Sequence, residues 1–155
     1  IAARCMSAAT ELLKPHMVGE GGESATVGSA VIGTVRGDMH DIGKNLVKIM
    51  MEGSGIAVYD LGTDVSAEQF IETAVEHDCG IIACSSLLTT TMNEMRRVVS
   101  LAQEKGIRKK VRILIGGAPI SQSFCDEIGA DVYTEDAGAA ARAALEILKT
   151  CQNGK

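Results

Sequence analysis

Ala30-Val31-Ile32-Gly33-Thr34-Val35 and, across Arg36, Gly37-Asp38-Met39-His40-Asp41-Ile42-Gly43-Lys44-Asn45 form the stretch on which the fold turns. The first half is a short apolar run bounded by glycine, the pattern of a strand buried on both faces of a parallel sheet. The second half is a loop that runs into an amphipathic helix over 43–52, with Leu46, Ile49 and Met50 expected to face inward. His40 stands two residues after a carboxylate and three before a glycine, at the carboxyl end of a strand. That is a place for a metal ligand, and Asp38 could accept the second ring N–H of His40 and raise its basicity.

The alternation continues on the far side of this stretch. Residues 56–61 read as a second strand. Ser66-Ala67-Glu68-Gln69 has capping-box spacing ahead of a helix whose buried stripe is Phe70, Ile71, Ala74 and Val75. Residues 80–84 make a third strand, and Thr91-Met92-Asn93-Glu94 repeats the capping-box pattern before a helix with Met95, Val98, Val99 and Ala102 inward and Gly106 at its end. Residues 112–115 and 132–134 supply two more strands around a short helix over 121–128. Asp136 can cap an alanine-rich helix running to about Lys149.

Five strands, each followed by a helix, imply an α/β fold: a flavodoxin-like, Rossmann-like doubly wound parallel sheet with right-handed crossovers. In the order 2-1-3-4-5 strands one and three flank the switch point, where such sheets bind ligands beyond the strand carboxyl ends. The unusual loops, over 38–43, 85–89, 116–119 and 134–136, all fall on that edge. Paired glycines at 116 and 117 let a large ligand approach the backbone.

With 155 residues and 46% hydrophobic content the chain has material for one ordinary domain. Its net charge of −5 comes with no basic block beyond Arg108-Lys109-Lys110, so a nucleic-acid partner is not expected. The cysteines Cys5, Cys79, Cys84, Cys125 and Cys151 are odd in number, with no pair at two-residue spacing. They suit neither a disulfide framework nor a zinc knuckle, and none is given a role. No apolar run approaches a membrane span and no signal core opens the chain, so a reducing, cytoplasmic setting without membrane contact is expected.

Before the sheet, Ala2, Met6, Ala9 and Leu13 recur at helical spacing until Pro15 interrupts the pattern. Gly19-Glu20-Gly21-Gly22-Glu23-Ser24 follows as a flexible linker. The expected division is therefore a remnant of a helical cap domain over 1–18, a linker over 19–26 and the α/β domain over 27–155.

Other readings of the histidine loop fit less well. A phosphate-binding P-loop needs four residues between its glycines and Ser or Thr after the lysine; here five intervene and Asn45 follows. Gly37 and Gly43 do not supply dinucleotide-binding spacing. A receiver-like phosphoacceptor at Asp38 or Asp41 lacks clear further acidic residues and a lysine after the last strand. An idle surface histidine is the default for His16 and His77, which have no neighbouring carboxylate in such a pattern; His40 does.

Asp38-Met39-His40-Asp41-Ile42-Gly43, then Ser85-Ser86-Leu87, then Gly116-Gly117 resemble, in order and spacing, the signature D-x-H-x-x-G…S-x-L…G-G of cobalamin-binding domains. Examples are the B12-binding domain of cobalamin-dependent methionine synthase and small corrinoid proteins of multi-component methyltransferase systems. The resemblance covers about Val27 to Lys149, and Leu12-Leu13-Lys14-Pro15 looks like the end of the helical cap found in those proteins. It implies a base-off, His-on cobalamin: His40 is the lower axial cobalt ligand, and the nucleotide tail enters the sheet.

On the same resemblance, Asp38, Met39, His40, Asp41, Ile42, Gly43, Ser85, Leu87, Thr89, Gly116, Gly117 and Thr134 are cofactor-binding. Asp38 and Ser85 form a relay with His40, Leu87 and Thr89 line the tail cavity, and Gly116 and Gly117 make room for the benzimidazole. The implied function is methyl carriage, with cobalt cycling between Co(I) and methyl-Co(III), so that His40 must bind and release it. The protein supplies ligation, orientation and shielding.

Implied partners are a substrate-specific methyltransferase, a corrinoid-to-folate or corrinoid-to-thiol methyltransferase, and a reductive activator of Co(II). Aromatic methyl ethers, methylamines, methanol and betaines are compatible donors. The alternatives sharing the lower-face motif are the cobalamin module of an adenosylcobalamin mutase and a cobalamin-sensing regulator.

Overall fold

The structure is a computed structural model that describes residues 26–153. The expected helical remnant over 1–18, and all of the expected linker but its last residue, lie outside these residues. In chain order the elements are β1 (Gly28–Thr34), α1 (Ile42–Gly53), β2 (Ile56–Asp60), α2 (Ala67–Glu76), β3 (Ile81–Ser85), α3 (Asn93–Glu104), β4 (Arg112–Gly116), α4 (Gln122–Ile128), β5 (Val132–Tyr133) and α5 (Ala137–Asn153).

The strands form one parallel sheet in the order β2-β1-β3-β4-β5, so the switch point lies between β1 and β3. Register carries Ile32 beside Ala83, Ala83 beside Leu114 and Leu114 beside Val132. Successive strand residues point to opposite faces, and each face has its own core. Val31, Ile82, Ile113 and Ile115 pack with Phe70 and Ile71 of α2, Met95 and Val98 of α3, and Phe124 of α4. Ala30, Ile32, Ala83 and Leu114 pack with Met51 of α1 and with Ala140, Ala141, Ala144 and Leu148 of α5.

Side chains cap three helix starts, two of them, at Ser66 and Asp136, as expected. Ser66 and Gln69 complete a reciprocal capping box, Ser121 accepts from the Phe124 N–H, and Asp136 accepts from the Ala139 N–H at 2.7 Å. Three expectations of facing or capping are corrected. Val75 is 59% exposed, because the inward stripe of α2 closes with Ala74.

In α1 the buried positions are Lys44 and Met51, with Val47 packed on the sheet, in place of Leu46, Ile49 and Met50. Met50 is exposed and lies near the start of α5, its Cε 3.8 Å from where a Cβ on Gly138 would stand. An apolar stripe on a short helix has two readable edges, and the sheet chose the edge carrying the lysine. At α3 no side chain caps the first turn, since Thr91 is used elsewhere.

Candidate functional site

β1 stops at Thr34 and the chain leaves the sheet within a few residues. Gly37 takes φ 85°, a left-handed conformation that side chains disfavour, and a Cβ there would stand 3.2 Å from Thr91 Cγ2. Hydrogen bonds hold the loop that follows. The Thr34 hydroxyl donates to the His40 carbonyl at 2.8 Å, and the Gly37 N–H donates to Asp64 Oδ1 at 2.8 Å. The Asp64 N–H returns to the Asp38 carbonyl at 3.0 Å. Thr34 is fully buried and Asp64 sits at φ 54°, so the β2–α2 loop braces the histidine loop from the side.

Asp38 is a fully buried carboxylate surrounded by donors. Its Oδ1 accepts from the His40 N–H at 3.0 Å and lies 2.7 Å from His40 Nδ1. Its Oδ2 accepts from the Leu87 N–H at 2.7 Å and lies 3.2 Å from the Thr91 hydroxyl. Burial pushes this carboxyl up, but the N–H groups of His40 and Leu87, the His40 ring and Thr91 outweigh it and bring it from 3.8 down to about 2. An ionised Asp38 keeps a proton on Nδ1, so Nε2 retains its lone pair on a side chain that is 51% exposed.

The hydroxyl expected beside this pair was that of Ser85. The structure brings Thr91 there instead. Ser85 is the half-buried last residue of β3, and its carbonyl accepts from the Val35 N–H. Thr91 pairs with the buried Ser86 hydroxyl at 2.8 Å. Each hydroxyl has one proton, and the Leu88 carbonyl is a second acceptor for both, 3.2 Å from Ser86 Oγ and 3.1 Å from Thr91 Oγ1; when Ser86 donates to Thr91, the Thr91 proton is free for Asp38. Capping-box spacing concealed this role, because a threonine before a helix reads as a cap until the fold shows what lies opposite.

Beside the loop, a cavity of about 430 Å³ opens between α1 and α5 under the carboxyl ends of β1, β3 and β4. Gly43, Ser85, Leu87, Gly116, Gly117 and Thr134 line it, as do the apolar Ile32, Val47, Met51, Ala83, Leu114 and Ala140. Thr89 is exposed and not on its wall. Met39 and Ile42, 68% and 64% exposed, stand with the exposed Asp41 on either side of His40.

The glycines of β4 have a further reason inside the protein itself. At φ 137°, a Cβ on Gly117 would fall 1.8 Å from the Ser86 carbonyl oxygen, and one on Gly116 would fall 3.3 Å from that of Thr134. The Ser86 loop closes over the strand end only if Gly117 lacks a side chain, whereas at Gly116 the Thr134 loop would have to give slightly.

One element escaped the sequence reading. Lys44, buried on the cavity wall, donates to both oxygens of Asp60 at 2.7 and 2.8 Å and to Asn45 Oδ1 at 2.7 Å. Burial raises the Asp60 carboxyl, but Lys44 and the Gly62 N–H bring it below its usual range. A lysine after a glycine read only as a failed P-loop; its actual use ties α1 to the end of β2.

Fold and site together define a class: a doubly wound α/β domain that offers a single, carboxylate-oriented imidazole at its switch point, above a mostly apolar cavity. The chain belongs to the family described as the B12 binding domain, whose pattern matches residues 28–146. It is similar to the dimethylamine corrinoid protein 3 of Methanosarcina mazei, 45% identical over 148 residues, which are 96% of this chain and 88% of that protein.

Among solved structures it is similar to the monomethylamine corrinoid protein of Methanosarcina barkeri, with a TM-score of 0.78 and 36% identity over 94% of this chain and 68% of that one. It is also similar to a chain of the methanol:cobalamin methyltransferase complex of Methanosarcina barkeri, with a TM-score of 0.78 and 32% identity over 94% of this chain and 55% of that one.

The cofactor is cobalamin, and the donor set suits it. Among the described residues no group of three or more His, Cys, Asp or Glu could hold a bare metal ion. A metal at His40 must therefore bring most of its ligands with it, as a corrin does. No helix among the described residues is long and apolar enough to cross a membrane.

Proposed function

We propose that this chain is the corrinoid-binding part of a methyl carrier. His40 Nε2 would hold cobalamin through its cobalt, and the cavity between α1 and α5 would take the nucleotide tail. Bound cobalamin supplies a cobalt centre that can accept a methyl group and release it to a second acceptor. The observation that carries the reading is the pair formed by His40 and the buried Asp38, with Nδ1 held at 2.7 Å and the other ring nitrogen left available.

The chain's own residues do the rest. Asp38 fixes the tautomer and orientation of the imidazole, and it is itself fixed by Leu87 and Thr91. Were His40 Nε2 not engaged by cobalt, it could take a proton, with Asp38 across the ring at Nδ1 to balance the charge. Met39, Ile42 and Leu87 present apolar surface on either side of the histidine, suited to exclude water from the lower face.

The partner of the first half-reaction is a substrate-specific methyltransferase. The similarity to dimethylamine and monomethylamine corrinoid proteins supports a methylamine as donor, ahead of methanol, aromatic methyl ethers and betaines. A corrinoid-to-thiol or corrinoid-to-folate methyltransferase completes the cycle, with a reductive activator to recover oxidised cobalt.

The test is to mix the protein with hydroxocobalamin, remove free cofactor and record the visible spectrum beside that of His40→Ala. The wild type should retain corrinoid with a spectrum that changes when the histidine is removed. Identical spectra for the two proteins would take His40 out of the axial position.

A further inference from the structure

The cavity between α1 and α5 is layered along the strand direction. Ser85, Gly116 and Thr134 line it at the carboxyl edge, where Glu135 and Asp136 also stand. Two residues back along their strands, roughly 6–7 Å deeper, Ala83 and Leu114 form one cross-strand row with Ile32. Val47 and Met51 from α1 and Ala140 from α5 enclose this deeper level.

Among the described residues, the only charged side chain lining that depth is Lys44, and an ammonium has three protons to give. All three are used, on Asn45 and on the two oxygens of Asp60. Main-chain groups at this level are engaged in the ladders joining β1, β3 and β4. The edge can therefore hydrogen-bond a ligand, whereas the floor can only exclude water.

Resting on the reading that the cavity takes the nucleotide tail, we propose that it selects corrinoids by the group that ends the tail. Flat, weakly polar ends such as a benzimidazole or a phenol are accepted, and purines are discriminated against. The ribose and phosphate are charged or polar and belong at the edge, and the terminal ring passes Gly116 and Gly117 to reach the apolar floor. An adenine placed there loses water from its exocyclic amine and ring nitrogens and finds no free partner, and each such unpaired group weakens binding by about 1–3 kcal/mol, which converts to roughly 10- to 100-fold.

Two ligands isolate this effect. A benzimidazole must first leave cobalt before the tail can enter, so cobalamin carries an extra cost unrelated to the cavity. p-Cresolylcobamide has no such internal ligand, and adeninylcobamide has only a weak one, so their dissociation constants are the direct comparison, followed by spectral titration of the unmodified protein. The expected result is p-cresolylcobamide binding about 10- to 100-fold more tightly than adeninylcobamide.

Equal affinities, or tighter adenine binding, overturn the selection while leaving the tail site standing. Cobinamide, which lacks the tail, separates the two ideas. If it binds as well as p-cresolylcobamide, or if no corrinoid is retained, the tail site fails and the selection fails with it.

Discussion

The two faces of the sheet are built on the same strands yet differ in how much side chain fills them. Under α2, α3 and α4 lie Phe70, Met95, Phe124, Ile82, Ile113 and Ile115, a close-packed core. Under α1 and α5 the helix residues are mostly alanine, at 140, 141 and 144, and the strands add Ala30 and Ala83. Two of these alanines, Ala83 and Ala140, line the cavity at the carboxyl edge, where a larger side chain would fill it. One face supplies stability and the other supplies room, so function here comes partly from what was left out of the core.

The comparison can be broken first at the full face. Phe70→Ala should cost about 3–5 kcal/mol in denaturant unfolding, the usual loss for a buried aromatic, while the protein that remains folded keeps its corrinoid spectrum. A loss below about 1 kcal/mol would mean that this face is no better packed than the hollow one. Ala140→Leu is the converse experiment. The added side chain has a cavity to enter, so unfolding should barely change, whereas corrinoid affinity should fall about 10- to 100-fold because overpacking of 1–3 kcal/mol is felt only with ligand in place. Unchanged affinity would separate the cavity from the cofactor.

The border between the two regions is sharpened by acid. The Asp38 carboxyl is depressed from 3.8 to about 2, so its contribution to stability is fully present above about pH 4 and is lost as pH falls through about 2. Thermal unfolding of wild type and Asp38→Asn across that window should converge toward the acid end. Parallel curves would show that the carboxylate is not held as the hydrogen bonds imply. The smallest effect belongs to Val75→Gln, within about 0.5 kcal/mol, because the side chain is already in solvent; a cost like that of Ile71→Ala would restore it to the buried stripe.

Much of this was legible before folding. The strands, their parallel order and the loops at the carboxyl edge follow from apolar runs separated by capped amphipathic segments, and every expected strand appears within two residues of its place. The His40 loop announced itself through the local spacing of Asp38, His40 and Gly43. The facing of α1 was less legible, because a stripe of Leu46, Ile49 and Met50 is as apolar as the stripe actually used, which packs Val47 and Met51 on the sheet and pairs Lys44 with Asp60.

The sequence by itself determined the alternation, the switch point and the identity of the histidine with its carboxylate, since these depend on short-range periodicity and on residues two apart. Tertiary structure alone decided that Thr91 and Leu87, distant in the chain, close the acceptor shell of Asp38, that Lys44 is spent on Asp60, and that alanines from α5 meet alanines of the sheet around a space. Those are contacts between elements far apart in sequence, and a donor or a void acquires its meaning only when the fold supplies what stands across from it.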